Sequence, residues 1–265
     1  MNFEAYKALH ERIFLENGLD RYIGEPVSRE TAEAAVCEEN ANAAKVSRET
    51  EHFWQLTERM LAVNEQMNLT AVRDVESVIY LHYVDSLMIA DAIPGGALLC
   101  DIGCGAGFPS LPLAIARPDL SFFAVDSTEK KVRYVAETAS LLGISSRFRA
   151  ISARAEELGQ GEARESFSCV TARAVSNLQM LSELCLPLVS LGGAFLSMKG
   201  ANWEMEYRDA ERAIALLGGA LEEAREFEIR NGEKSEKRCL LVLRKTAPTP
   251  AKYPRVWGKI KSKPL

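Results

Sequence analysis

The stretch LCDIGCGAGFP, Leu99–Pro109, sets Gly103, Gly105 and Gly107 at alternate positions directly behind a short apolar run. An apolar run that ends in such a turn predicts a strand feeding a loop whose backbone can approach a ligand closely, because glycine carries no Cβ and accepts positive φ. In an open α/β sheet the first strand-to-helix loop lies where ligands bind, beyond the carboxyl ends of the strands. Two common nucleotide loops do not fit. A dinucleotide fingerprint needs Gly-x-Gly-x-x-Gly, and Phe108 stands at the third glycine; a P-loop needs Gly-Lys-Ser/Thr, and this loop has no lysine.

Working outward, apolar runs alternate with amphipathic helices from Gly96 onward. Strands are predicted at Ala97–Ile102, Ser121–Asp126, Arg147–Ile151, Ser168–Ala172 and Gly193–Met198. Between the second and third, Glu129–Leu142 aligns Val132, Val135, Ala139 and Leu142 on one helical face and stops at Gly143. Two late runs, Ala220–Ile229 and Arg238–Arg244, have only a short link at Asn231-Gly232 and predict an antiparallel pair at the sheet edge. The pattern implies an α/β fold, a mostly parallel sheet with helices on both faces. Residues 1–92 read as a helical region in which Phe53, Leu56, Met60 and Val63 form one buried stripe. Ser28–Lys45, rich in Ala and Glu, reads as an exposed helix or an inserted excursion. Residues 93–250 form the α/β domain, and residues 251–265, ending YPRVWGKIKSKPL from Tyr253, read as an extended basic tail.

Of 265 residues, 47% are hydrophobic and 26% charged, as in an ordinary soluble enzyme with one substantial core. The first twenty residues show no export signal, and the longest apolar run, Leu184–Met198, is too short and interrupted to span a bilayer; a cytoplasmic protein without membrane contact is expected. The six cysteines contain no Cys-x-x-Cys pair and no histidine lies near two of them, so no metal is expected. The net charge is −5, but Arg230–Leu265 holds eleven Lys or Arg against two Glu. An acidic body with a basic end suits a partner carrying phosphate.

The spacing Asp101-x-Gly103-x-Gly105-x-Gly107 resembles the first motif of class I S-adenosylmethionine-dependent methyltransferases, a Rossmann-like fold with a seven-stranded sheet. Two residues sit where that resemblance requires them. Asp126 ends the second strand, from which a carboxylate can accept both ribose hydroxyls, and Glu156 follows the third, where these enzymes hold the adenine. Asp126 could equally cap the helix beginning near Thr128, and Glu156 could be a solvated first-turn acid.

For the acceptor, the region after the fourth strand has no Asn/Asp-Pro-Pro-aromatic motif of the kind that grips an exocyclic amine. Cys169 and Cys185 are embedded in apolar runs and suit the core better than covalent attack on a pyrimidine. Arg173 and Lys199 end strands four and five and are the candidate catalytic cations; Lys199 reads equally as a surface cation ending a strand or as a contact to RNA phosphate or base.

NLTAVRDVESVIYLHYVDS from Asn68, DIGCGAGFPSLPLAI from Asp101, RAEEL at Arg154, TARAVSNL at Thr171, SMKG at Ser197 and the ending PR…G…K.KPL together resemble the ribosomal RNA small subunit methyltransferase G family, also called glucose-inhibited division protein B. The resemblance implies methyl transfer from S-adenosyl-L-methionine to N7 of a guanosine in helix 18 of 16S rRNA, with 16S rRNA or the small ribosomal subunit as partner and a monomeric enzyme. It places cofactor contacts on Gly103, Phe108, Ala155, Glu156 and Arg173, and an N-terminal motif on Asn68, Thr70, His82, Asp85 and Ser86. The tail departs from the family at Val256, where a basic residue is common, and Ile260, where proline is common. Arg255, Lys259, Lys261 and Lys263 keep its charge and are the expected RNA contacts. Guanine N7 presents its lone pair without prior proton removal, so alignment and water exclusion suffice. His82, three residues before Asp85, then has a structural rather than a basic role.

Overall fold

The computed structural model describes residues 1–23, 48–173 and 176–265. The Ser28–Lys45 segment lies outside the described residues. A seven-stranded sheet in the order β3-β2-β1-β4-β5-β7-β6 organises the chain, from β1 (Leu98–Ile102), β2 (Ser121–Asp126), β3 (Phe148–Ser152), β4 (Phe167–Arg173), β5 (Val189–Gly200), β6 (Gly219–Asn231) and β7 (Lys234–Lys245). The first five strands are parallel, and β7 runs antiparallel between β5 and β6. This is the sheet of class I S-adenosylmethionine-dependent methyltransferases. The late strands are longer than the sequence suggests because their hairpin closes on Gly232, whose φ of +58° is readily adopted by glycine.

Alternation along the strands assigns the two faces of the core. In β7, Leu240 and Val242 enter the layer built with the N-terminal helices, while Cys239, Leu241 and Leu243 enter the opposite layer. The first layer receives α1 (Phe3–Glu16) and α2 (Arg48–Met67), whose Phe53, Leu56 and Met60 are buried as the helical spacing predicts, with Val63 partly buried at the margin. Their side chains share one cluster with Leu99 and Leu111 of the α/β region. Helix α1 also reaches the β6 edge, where the Asn17 side chain donates to Arg230 O at 2.8 Å and accepts from Arg230 N at 2.7 Å. That double bond covers backbone groups an edge strand would leave open.

A second helical run crosses the same layer in three pieces, α3 (Val75–Val78), a π-helical segment Ile79–Val84, and α4 (Asp85–Leu87). Helices α5 (Ser110–Ala116) and α6 (Glu129–Leu141) complete this layer, while α7 (Ala155–Gln160), α8 (Leu178–Cys185) and α9 (Trp203–Leu216) cover the opposite face of the sheet.

The tail corrects the expectation of an extended end. Residues Trp257–Ser262 form a helix, α10, with Ile260 fully buried. The segment leading to it is clasped by side chains: Arg164 donates to Thr249 O at 2.5 Å and Tyr253 O at 2.7 Å, and Gln160 Nε2 donates to Pro254 O at 2.6 Å. Its apolar members, Tyr253 and Ile260, have a core to enter, and their burial outweighs the charge that reads as solvated. None of the helices in the described residues is long and apolar enough to cross a membrane.

Candidate active site

Register sets the rim. Ile102 of β1 is level with Val125 of β2 and Ala172 of β4, and Arg173 of β4 is level with Met198 of β5. The strand order reverses between β1 and β4, so the glycine loop and Arg173 flank the crevice where α/β sheets bind ligands.

The glycine loop is stitched across to β2: Gly103 N and Cys104 N donate to Val125 O at 2.8 and 2.9 Å. Gly105 N donates to Asp126 Oδ2 at 3.1 Å, while Asp126 Oδ1 accepts from Thr128 N at 2.8 Å. Asp126 therefore does cap the turn before α6, and it also holds the loop and lines the crevice. At Gly107, φ is +88° and an added Cβ would stand 2.3 Å from Leu111 Cδ1. The close loop-to-helix packing that a dinucleotide fingerprint assigns to its third glycine is achieved here one position earlier. Beneath the loop, Asp101 is buried, neither of its oxygens meets a hydrogen-bond partner among the described residues, and burial pushes its carboxyl up to about 6. Ser110, the neighbouring hydroxyl, turns instead to Gly107 O at 3.4 Å.

Two cavities open at this loop and share Gly103 and Asp126. One, of about 230 Å³, is lined by Ala155, Glu156 and Trp257 among others; the second, of about 390 Å³, by Thr70, His82, Phe108, Lys131 and Arg173. Glu156 is buried beside Arg154, whose Nη1 lies 3.6 Å from it. Orphaned Asp101, carboxylates at both ends of the loop and backbone free of Cβ together make a donor and acceptor set that fits S-adenosylmethionine, with its ribose diol and amino-acid end.

A third cavity, of about 410 Å³, adjoins the second across Arg173 and His82, and is closed by Asp85, Lys199, Glu206 and Arg238. A side-chain network forms this wall. Arg173 Nη1 donates to Asp85 Oδ2 at 3.0 Å and to Leu81 O at 3.2 Å, and its Nη2 lies 3.3 Å from His82 Nδ1. A guanidinium can only donate, so His82 Nδ1 accepts, and its Nε2 carries the hydrogen toward Thr70 Oγ1 at 3.0 Å. Burial, helped by the Arg173 charge, holds the His82 ring down at about 3, so it is neutral. The ring stacks on Phe108 at 4.4 Å between centroids, and the Arg173 guanidinium lies 5.5 Å above the same ring. Thr70 is held in turn by buried Asn64, which accepts from Thr70 N at 2.9 Å and donates to the carbonyls of Thr70 and Val72 at 3.0 Å each. The π-helical segment presents Leu81 O and His82 to one cation, consistent with the frequent use of such turns at functional sites. Ser86 anchors it, donating to His82 O at 2.5 Å. Asn68, by contrast, stands at the outer end of this motif with φ +49°, bonded to Arg73.

Lys199 is buried, with Nζ 2.7 Å from Glu206 Oε2, so it is a cavity-wall cation rather than a free surface charge. Arg255 is also committed: it grips buried Glu183 through Nε at 2.8 Å and Nη2 at 2.6 Å, anchoring the tail. Lys259, Lys261 and Lys263 remain exposed on or just beyond α10, whose Trp257 lines the first cavity.

Arg238, Glu206 and Trp257 did not stand out in the sequence. Arg238 Nε donates to Asp85 Oδ1 at 3.1 Å. It reaches the carboxyl rim because β7 is antiparallel and brings its beginning there, level with Gly200. The predicted hairpin carried that signal, since the early residues of the returning strand must meet the rim.

Comparison with known proteins places this arrangement. A family model described as rRNA small subunit methyltransferase G matches residues 49–234. The ribosomal RNA small subunit methyltransferase G of Leuconostoc citreum is 39% identical over 241 residues, covering 89% of this chain and 99% of that protein. The protein of the same name from Listeria monocytogenes is 43% identical over 216 residues, covering 80% and 90%. Among solved structures, the [4+2]-cyclase SpnF matches with a TM-score of 0.51 at 13% identity over 76% of this chain and 97% of that one, and an O-methyltransferase from Bacillus cereus in complex with SAH with 0.50 at 13% identity over 81% and 96%, likenesses of fold. Identity near 40% across most of both lengths, on a rim built from the very motifs described, means that the chain belongs to the rRNA small subunit methyltransferase G family.

Proposed function

We propose that this enzyme transfers a methyl group from S-adenosylmethionine to N7 of a guanosine in helix 18 of 16S rRNA, presented by the small ribosomal subunit. The observation that carries the reading is the pair of adjoining cavities, one at the glycine loop and one ringed by Lys199 and Arg238, that meet across Arg173 and His82. The cofactor supplies an electrophilic methyl on a sulfonium, taken by the in-plane lone pair of N7 while the carbon–sulfur pair stays on sulfur.

In this reading Gly103, Gly105 and Gly107 bring backbone to the cofactor, Asp126 accepts from the ribose, Ala155 and Glu156 border the adenine, and Asp101 faces the amino-acid end. Phe108 and Arg173 form the partition between donor and acceptor. No general base is needed. The nearest imidazole, His82, has both nitrogens engaged and is held neutral by burial. Rate enhancement rests on orienting N7 and excluding water. Lys259, Lys261 and Lys263 meet rRNA phosphates, while Arg255 fixes the helix that carries two of them. Mapping N7-methylguanosine in 16S rRNA from cells with and without the gene tests the reading: the mark disappears with the gene, and its persistence would refute it.

A further inference from the structure

On that reading, the cavity beyond Arg173 must identify a guanine while leaving N7 untouched, because a cation bonded to N7 would occupy the lone pair that attacks. Recognition therefore falls on the opposite edge, where guanine offers N1–H and N2–H as donors and O6 as an acceptor. Two carboxylates line the cavity. Asp85 has Oδ2 on Arg173 and Oδ1 on Arg238, so neither oxygen is open. Glu206 has Oε2 held by Lys199 Nζ at 2.7 Å and by Leu178 N at 3.1 Å, while Oε1 has no partner among the described residues. The carboxylate is thus fixed by one oxygen and presents the other. Among the described residues the ammonium beside it has a single partner, that same Oε2, and retains donors.

We infer that Glu206 and Lys199 read the acceptor base: Glu206 Oε1 accepts from N1–H and N2–H, and Lys199 Nζ donates to O6. Adenine would set the lone pair of its N1 against the carboxylate and its amine against the ammonium, and is rejected. With the Watson–Crick edge at Glu206, the N7 edge lies on the Arg173 side of the cavity, toward the cofactor. Lys199 is then a specificity determinant, and Glu206 a residue whose neutral isostere removes selectivity before it removes binding of the methyl donor.

The test uses small-subunit particles reconstituted with rRNA carrying either guanosine or inosine at the methylated position, since inosine lacks only the N2 amine. The wild-type chain should favour guanosine over inosine by about tenfold to a hundredfold in kcat/KM, the range for one well-placed base contact. Glu206→Gln should bring that ratio to within about threefold, a comparison of ratios from which the intrinsic reactivities of the two bases cancel. Its affinity for S-adenosylmethionine, read by titration calorimetry, should be unchanged. Equal wild-type rates on the two particles, or an unaltered ratio in Glu206→Gln, would overturn the inference. The wild-type comparison does so without requiring any variant to fold. Failure to methylate the guanosine particle at all would instead refute the function proposed above.

Discussion

The two halves of the rim are built by different means. Around β1 to β3 the surface is made by backbone: three glycines, amides bonded to Val125 O, and carboxylates at the strand ends. Around β4, β5 and β7 it is made by long side chains that hold one another, Asn64 to Thr70 to His82 to Arg173 to Asp85 to Arg238. A backbone surface tolerates few residue types at its glycines but needs no partners elsewhere. A side-chain surface depends on contributions from helices and strands far apart in sequence, so a single deletion leaves several polar groups unsatisfied. On the proposed function the difference divides the labour of the site, the first half holding a constant cofactor and the second set for one base.

Asp85→Ala should have the largest effect. With Arg173 stripped of its carboxylate partner in a partly buried site and Arg238 left with Glu236 alone, stability should fall by about 3 kcal/mol. Methyl transfer should fall about a hundredfold through misplacement of Arg173. Cofactor affinity should fall by less than methyl transfer, because Arg173 lines that cavity too while its glycine loop and Asp126 are untouched. Calorimetry beside a methylation assay breaks the comparison if both fall equally. Gly107→Ala sharpens it from the other side: with φ at +88° and Leu111 fully buried, about 2 kcal/mol of stability and about tenfold in cofactor affinity should be lost. Single-turnover methylation at saturating cofactor should be affected much less than the affinity.

Replacing Lys259, Lys261 and Lys263 by Ala should weaken RNA binding and reduce the slope of log affinity against log salt by about 0.7 to 0.9 for each lysine that meets a phosphate. Arg255→Ala differs: by removing the grip on Glu183 it should release the tail, lowering thermal stability even without RNA. The effect that is smallest at neutral pH concerns His10, enclosed by Tyr6, Phe14 and Phe53 with no polar partner among the described residues and held at about 3 by burial. The unfolded chain binds this proton below pH 6.5 and the folded chain resists it. Its contribution is therefore present above 6.5 and lost as pH falls toward 3, at up to about 1.4 kcal/mol per pH unit. His10→Phe should flatten that part of a stability-against-pH curve. Asp101 acts with the opposite sign: its stabilising term is present below about pH 4 and fades as pH rises through about 6.

The cofactor half was legible in the sequence because its determinants are local. A glycine spacing and the acids that follow successive strands are visible in windows of a few residues, and the seven strands fell close to their expected positions. The acceptor half was legible only in part. Arg173, Lys199, His82 and Asp85 could be named, but which cation each acid meets depends on β7 returning antiparallel and on a π-helical turn, neither encoded in a short window. The tail was misjudged for a related reason. Its charge pattern is that of a solvated segment, whereas Tyr253, Ile260 and the Arg255–Glu183 pair act only through partners elsewhere in the chain.

The most direct test is to incubate the purified chain with methyl-labelled S-adenosylmethionine and small ribosomal subunits from a strain lacking the gene, then to locate the label by nucleoside analysis and primer extension. The account predicts N7-methylguanosine at a single position within helix 18, approaching one methyl per particle. Unlabelled rRNA, or label on another base or another atom, would contradict it.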